Sequence, residues 1–298
     1  MRRSRTILQR LCLLLPLVVG GCGHGGTEAV SGLFYTGSQA AADLEDTQTA
    51  ADLLTQGYGA MAAYLALAAF HLHLPSPTLV DPAQVEVQAP GSCAVPGRAV
   101  VRYSLDLQAG ILSGTVTWEG YCVLGRTLAG TARLTGTLAS PPDTAPYYTL
   151  LTLELEGVRM STAAAGYTLQ GTLTVRPGAP TAVEGSLFQR REATGDVVWI
   201  KDFLVEATAD PSDVALRLQR GTLFDPLLGG ADLRTPGLAF LAPLDQPWPV
   251  NGQLQASNST GLRAILTANG NGTFDVAVYR GQRLAAPPRS GSWAALGL

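Results

Sequence analysis

Histidine, lysine and charge are all scarce in this chain. Of 298 residues only three are His, Lys201 is the sole lysine, and charged residues make up 14%, where about a quarter is usual. So few histidines leave little for His-based catalysis or metal binding: His24, His71 and His73 are all there is. The lack of basic runs argues against nucleic acid and against polybasic contacts with lipid headgroups. No apolar run reaches the roughly 18 residues that span a bilayer as a helix, which excludes a protein of several membrane-crossing helices. G-x-S-x-G, H-E-x-x-H, phosphate-loop, dinucleotide and EF-hand signatures are missing, and no cofactor is expected. The apolar share, in contrast, is 46%, too high for a disordered chain and enough for one core in a domain of roughly 200 to 250 residues.

The first ten residues carry Arg2, Arg3, Arg5 and Arg10 and no acid, followed by an apolar stretch from Leu11 to Val19 and then Gly20-Gly21-Cys22. A basic start, a short apolar stretch and small residues before a cut describe a secretory signal. Val19-Gly20-Gly21-Cys22 resembles the bacterial lipoprotein signal, in which the cysteine is lipidated. The resemblance implies removal of residues 1–21, a diacylglycerol on the Cys22 thiol and an acyl chain such as palmitate on its amine. Such multiple acylation anchors stably. Gly23 follows Cys22 where an Asp would signal inner-membrane retention, so the resemblance implies the outer membrane in a Gram-negative host. Without the leader's four arginines, 16 of the 20 basic residues face 23 acids, a formal −7.

Cys12 leaves with such a leader and Cys22 becomes a thioether, so two cysteines remain. In an oxidising compartment the default for Cys93 and Cys122 is a disulfide. A redox pair or two metal ligands are the alternatives, but the spacing is not C-x-x-C and no His accompanies either residue.

From Ser38 to Leu72 the apolar residues Leu44, Ala51, Leu54, Tyr58, Met61, Leu65, Ala68 and Leu72 recur at helical spacing, with Ser38 as the expected cap and Pro75 beyond the stop. Gly57 and Gly59 are expected to kink or divide this helix. The uncharged stretch 60–70 should be buried on most sides. Pro75 to Gly97 reads as a linker with one strand near Val85 to Gln88. Beyond it the period becomes two: Val101, Tyr103 and Leu105 alternate with Arg102, Ser104 and Asp106, and Leu151, Leu153 and Leu155 with Thr152, Glu154 and Glu156. Such alternation predicts ten to thirteen antiparallel strands with one dry and one wet face.

Through these strands runs a loose repeat of aliphatic, any residue, Gly and often Thr, as in Leu112-Ser113-Gly114-Thr115 and Leu169-Gln170-Gly171-Thr172. Gly114, Gly130, Gly136, Gly171, Gly185 and Gly252 fall on the aliphatic side by period two. Glycine inside a strand marks a bend or the close approach of another body. The expected fold is therefore mainly β: a large curved antiparallel sheet or half-barrel with one N-terminal Ala-rich helix packed on its concave face. The six glycines are candidates for an apolar-ligand groove on that face, unless the helix fills it. In broad outline the pattern is similar to half-barrel lipoprotein carriers of the bacterial envelope. The stretch from Ser113 to Cys122, followed by Leu128-Ala129-Gly130-Thr131, resembles uncharacterised Gly-Thr-strand lipoproteins, which implies architecture only. The expected organisation is a leader at 1–21, a lipidated tether at 22–37, one helix-plus-sheet domain at 38–284 and a loosely ordered tail at 285–298.

Other constellations have plain explanations. His71 and His73 share a face for a metal only if extended, and otherwise sit at a helix C-terminus. Glu154 and Glu156 have a spacing compatible with a glycosidase pair, but belong to a wet Thr/Glu face. Asn269 to Asp275 resembles a calcium loop with one charged residue, and reads more simply as a hairpin turn. Trp118 is expected in the core, and Trp248 and Trp293 as half-buried loop anchors. Together these observations imply a membrane-anchored envelope protein of non-catalytic, structural or interaction type, with an envelope protein as partner. The alternatives are an apolar-ligand or lipid carrier using the concave face and, behind it, an enzyme acting on envelope glycan.

Overall fold

A computed structural model describes residues 32–140, 145–244, 246 and 248–294. Cys22, the leader and most of the tether lie outside the described residues.

Asp46 starts the one α-helix among the described residues. Its carboxylate accepts from the backbone N–H groups of Gln48 (3.1 Å) and Thr49 (3.2 Å) and from the Thr49 hydroxyl (2.7 Å), which satisfies donors that a helix start leaves orphaned. Helix α1 then runs from Thr47–Ala68 and continues as a 3₁₀ turn at Ala69–His73. Ser38, the expected cap, lies upstream in an extended segment that forms a parallel bridge between Ala41 and Gly230. Gly57 and Gly59 do not divide the helix. A Cβ at Gly57 would lie 2.6 Å from Leu233 and 2.9 Å from Leu254, so this glycine admits side chains of the sheet. Every residue from Ala60 to Ala68 is buried. By length and hydropathy the segment Thr47–His73 is long and apolar enough to cross a membrane, unlike the expectation from uninterrupted apolar runs. In this fold the sheet covers it instead.

The sheet is antiparallel and has fifteen strands. Strands β1 (Val85–Pro90), β2 (Arg98–Asp106), β3 (Ile111–Val123), β4 (Arg126–Leu138), β5 (Tyr148–Ser161), β6 (Gly166–Arg176), β7 (Thr181–Arg191), β8 (Val197–Ala209), β9 (Asp213–Asp225) and β10 (Gly229–Arg234) each pair with the one before. β12 (Gln253–Ser257), β13 (Leu262–Asn269), β14 (Thr273–Arg280) and β15 (Arg283–Ser292) continue from β10, while the short β11 (Phe240–Pro243) pairs with β9. The sheet is open, with β1 and β15 at its edges. It curls around α1, which touches β3, β4, β7 to β10 and β12 to β15. Inward rows such as Leu151, Leu153, Leu155 and Val214, Leu216, Leu218 are fully buried, as the alternation requires. The outward face carries exposed cross-strand ion pairs, among them Arg98–Glu119 and Arg133–Glu154.

Cys93 and Cys122 form a disulfide, with Cα atoms 5.5 Å apart, that ties the loop after β1 to the end of β3. The segment expected as a loose tail is instead ordered into β15 through residue 292. Pro287 and Pro288 sit at a register shift on this edge strand, where a missing N–H costs nothing and discourages further strand pairing. Behind it Trp293 is fully buried, packed on Phe274 (4.9 Å) and Tyr58 (5.1 Å). It is a core residue rather than a half-buried anchor. Trp118 lies in the core and Trp248 is half-buried, as expected.

Candidate functional site

The glycine row serves close packing. A Cβ at Gly114 would fall 2.1 Å from the Arg102 carbonyl oxygen, one at Gly171 2.3 Å from that of Ser186, and one at Gly185 2.1 Å from that of Thr172. Gly136 is filled by Leu151 and Leu112, and Gly252 by Phe240. Gly130 lies under no such clash, its nearest neighbour being Val158 Cα at 3.4 Å, and it is exposed. In register the glycines face large side chains: Tyr103 opposite Gly114, Trp118 opposite Gly130, Phe203 opposite Gly185. The apolar groove expected along this row is thus taken up by the sheet's own residues and by α1.

At one rim of the sheet, however, the inward rows turn polar. Arg126 opens β4 in the row of Leu128, and Tyr167 stands near the start of β6 in the row of Leu169. Gln189 and Arg191 end β7, and Asp225 ends β9. Antiparallel order brings these strand ends together, opposite Asp52, Thr55, Gln56 and Gly59 on one face of α1. A cavity of about 380 Å³ lies between them, with Met160, Val198, Ile200 and Leu223 as its apolar wall.

A strained turn positions Arg126. Leu124 (φ 49°) and Gly125 (φ 70°) form the two-residue link between β3 and β4, and both central residues have positive φ as a type I′ turn demands. Leu is poorly suited there, at a cost of roughly 1 to 2 kcal/mol, yet Leu124 is fully buried and held. From this turn Arg126 points inward with only 1% of its surface exposed. Its Nη1 donates to the Leu124 carbonyl at 2.6 Å, and its Nε to the carbonyl of Gly59 at 3.3 Å. The guanidinium lies 5.6 Å from the centroid of the Tyr58 ring.

Among the described residues no carboxylate pairs with Arg126, and its buried Nη2 has no hydrogen-bond partner. Burial lowers its pKa from the ordinary value, opposed by Tyr58 and Tyr167, but a guanidinium stays charged. A buried charge without a counter-ion is strongly unfavourable for folding. Gly59 adds to the cost, since glycine within a helix is less favourable than alanine by about 1 kcal/mol. The nearest atom to a Cβ there is Arg126 Nη2 at 3.9 Å, so the missing side chain leaves a methyl-sized gap beside the guanidinium.

The other charges of the site are committed. Arg191 pairs with Asp225, whose other oxygen accepts from the N–H groups of Leu227 (2.8 Å) and Leu228 (3.1 Å). Asp52 accepts from Gln48 at 2.7 Å, and burial raises its pKa above the ordinary value. Gln56 Oε1 is buried without a partner, as is the Tyr58 hydroxyl, whose pKa burial pushes up to about 12.

The outward face holds a second, wider depression of about 1210 Å³ over β6 to β10, bordered by Glu184, Asp202, Arg220, Asp232 and Arg234. Carboxylates from three strands border it, and each is partnered: Glu184 with Arg176 and Arg220, Asp202 with the Ser186 hydroxyl, Asp232 with Thr222. Beyond it, Phe188, Trp199 and Phe224 stack on the outer face, and Tyr35 of the N-terminal segment packs on them, 6.3 Å from Trp199 and 6.0 Å from Phe224.

The remaining sequence candidates are scattered. His71 bonds the Ala68 carbonyl at 2.8 Å and lies 3.3 Å from the Thr181 hydroxyl, while His73 is exposed. Glu154 pairs with Arg133 on the open outer face. Asn269 to Asp275 is the β13–β14 hairpin, in which Asn269 donates to Asp275 at 3.1 Å. Arg126, the residue at the centre of the polar rim, was not among the candidates. The signal for it is parity: it is the one charged member of the even-numbered row Leu128, Ala132, Leu134, Leu138 of β4. Comparison with protein-family models, curated proteins and solved structures found no match to this chain.

Proposed function

We propose that this chain is a non-catalytic interaction protein of the cell envelope, held to a membrane by lipid on Cys22. The observation that carries the reading is α1 itself. The helix occupies the concave face, which a long-chain lipid carrier would need free, so the fold supports a rigid display scaffold. The Cys93–Cys122 disulfide fits an oxidising compartment, and the residues around Cys22 resemble a lipidation signal.

Two measurements on cells expressing the full chain test this. Labelling with an alkynyl palmitate analogue should tag the wild type and not Cys22→Ser, and an unlabelled wild type would sink the anchor. Native mass spectrometry of the purified protein should show the covalent acylation and no bound phospholipid. A phospholipid released on unfolding would replace this reading with that of a carrier.

A further inference from the structure

We propose that the cavity at the polar rim binds a small amphipathic carboxylate, with the carboxylate on Arg126 and the apolar body against Met160, Ile200 and Leu223.

The site is built for an anion. Arg126 is fully buried and borders the cavity, and its Nη2 has no partner among the described residues. Two backbone carbonyls and the Tyr58 ring hold the guanidinium in place without neutralising it. Glycine at position 59 leaves a methyl-sized gap beside the buried Nη2. Gln56, also unpartnered at Oε1, lines the same cavity, and a flip of its amide would put the NH₂ where Oε1 stands.

The charges of the site favour a monoanion over a dianion. Arg191 is already neutralised by Asp225, and Asp52 stands on the same wall. The two cations and two carboxylates of the lining balance in number, but among the described residues Arg126 alone of the cations has no ion pair, and a dianionic phosphate would bring excess negative charge beside the two carboxylates. The opposite wall is apolar, and the volume falls at the lower end of the roughly 300 to 1,000 Å³ typical of small-molecule sites. A carboxylate on a short hydrocarbon chain matches both walls.

The test is calorimetric titration of the full chain in lipid nanodiscs, corrected for empty nanodiscs, with octanoate and with its neutral analogue octanamide. Octanoate should bind saturably with one site and at least about tenfold more tightly than octanamide, a ratio set by the charge-assisted contact. Arg126→Met should bring octanoate down to the octanamide level while the melting temperature stays level or rises, because an unpaired buried charge has been removed. Arg126→Lys should keep part of the preference. Gly59→Leu leaves Arg126 in place, favours the helix and fills the cavity, and it should abolish binding of both compounds. The proposal is overturned by equal affinity for the two compounds, by no saturable octanoate binding at millimolar concentration, or by an Arg126→Met or Gly59→Leu protein that binds octanoate like the wild type. Should Arg126→Met not fold, the wild-type ratio and Gly59→Leu decide.

Discussion

The Tyr64 hydroxyl donates a hydrogen bond of 3.0 Å to the carbonyl of Gly185, joining the C-terminal part of α1 to the middle of β7. Tyr64 is fully buried, and its ring packs 5.8 Å from Phe203, the residue opposite Gly185 on β8. The contact lies where a bulge shifts the β7–β8 register between Gly185 and Leu187. Tyr64→Phe keeps the ring and leaves that carbonyl without its partner. A loss of about 1 kcal/mol in urea unfolding is expected, and an unchanged midpoint would show that the bond contributes nothing.

Gly185 itself should tolerate no side chain. It has φ 149°, and an added Cβ would collide with the Thr172 backbone. Gly185→Ala is expected to cost about 3 kcal/mol or more, combining strain with a clash that only backbone movement relieves. Gly157 has φ 81° with nothing within 4 Å of its Cβ position, so Gly157→Ala should lose only about 1 kcal/mol. Equal losses in denaturant titrations would contradict this assignment of space.

Asp46 anchors the start of α1, and its hydrogen bonds to Thr49 and Gln48 hold its pKa below the ordinary carboxylate value. Asp46→Ala should destabilise by about 1 kcal/mol, and Asp46→Asn by much less. A lowered folded pKa means that the ionised cap stabilises above the unfolded value and that this contribution disappears as pH falls through the folded one. The gap between wild type and Asp46→Ala should therefore narrow in strongly acidic buffer, measured by thermal melts.

His71 acts in the opposite chemical sense. Burial lowers its pKa below 6.5, so the folded state favours neutral imidazole. Its contribution is fully present above pH 6.5 and is lost as pH falls from there towards the folded pKa. Melting temperature should drop between pH 7.5 and the mildly acidic range in the wild type, and drop less in His71→Gln. Parallel curves would remove His71 as the cause.

The disulfide closes a sequence separation of 29 residues, for which chain entropy gives about 3.5 kcal/mol. Replacing both Cys93 and Cys122 by Ala should lower unfolding free energy by roughly that amount. Reduction of the wild type should reproduce the loss, and a double variant as stable as the oxidised protein would contradict it.

Most of the sheet was legible because one dry face imposes period two on strands such as Leu151 to Leu155, and the dense apolar stretch 60–70 reads correctly as a buried helix. The start of that helix was misplaced because Ser38 and Asp46 are both competent caps, and only the pairing of Ala41 with Gly230 pulls the first into extended chain. Gly57 looks like a break until Leu233 and Leu254, nearly two hundred residues later, are seen to fill its place. β15 was hidden by Pro287 and Pro288, which argue against a strand unless it lies at an edge. The polar rim was the least visible. A lone arginine after Leu124-Gly125 reads as an ordinary turn residue, and nothing local shows that Arg191 will be neutralised by Asp225 or that Arg126 will have no acid beside it.

The meander gives this protein an awkward order of assembly. Each hairpin can close as soon as its second strand leaves the ribosome, since β2 to β10 pair with their immediate predecessors. The helix cannot. It is made before every strand, yet the residues that enclose it include β12 to β15, the last to be made. Until then this apolar helix has only part of its cover, so a newly made chain is most exposed to aggregation just before its final hairpins arrive. The first of the described elements to be synthesised is the last to be sealed.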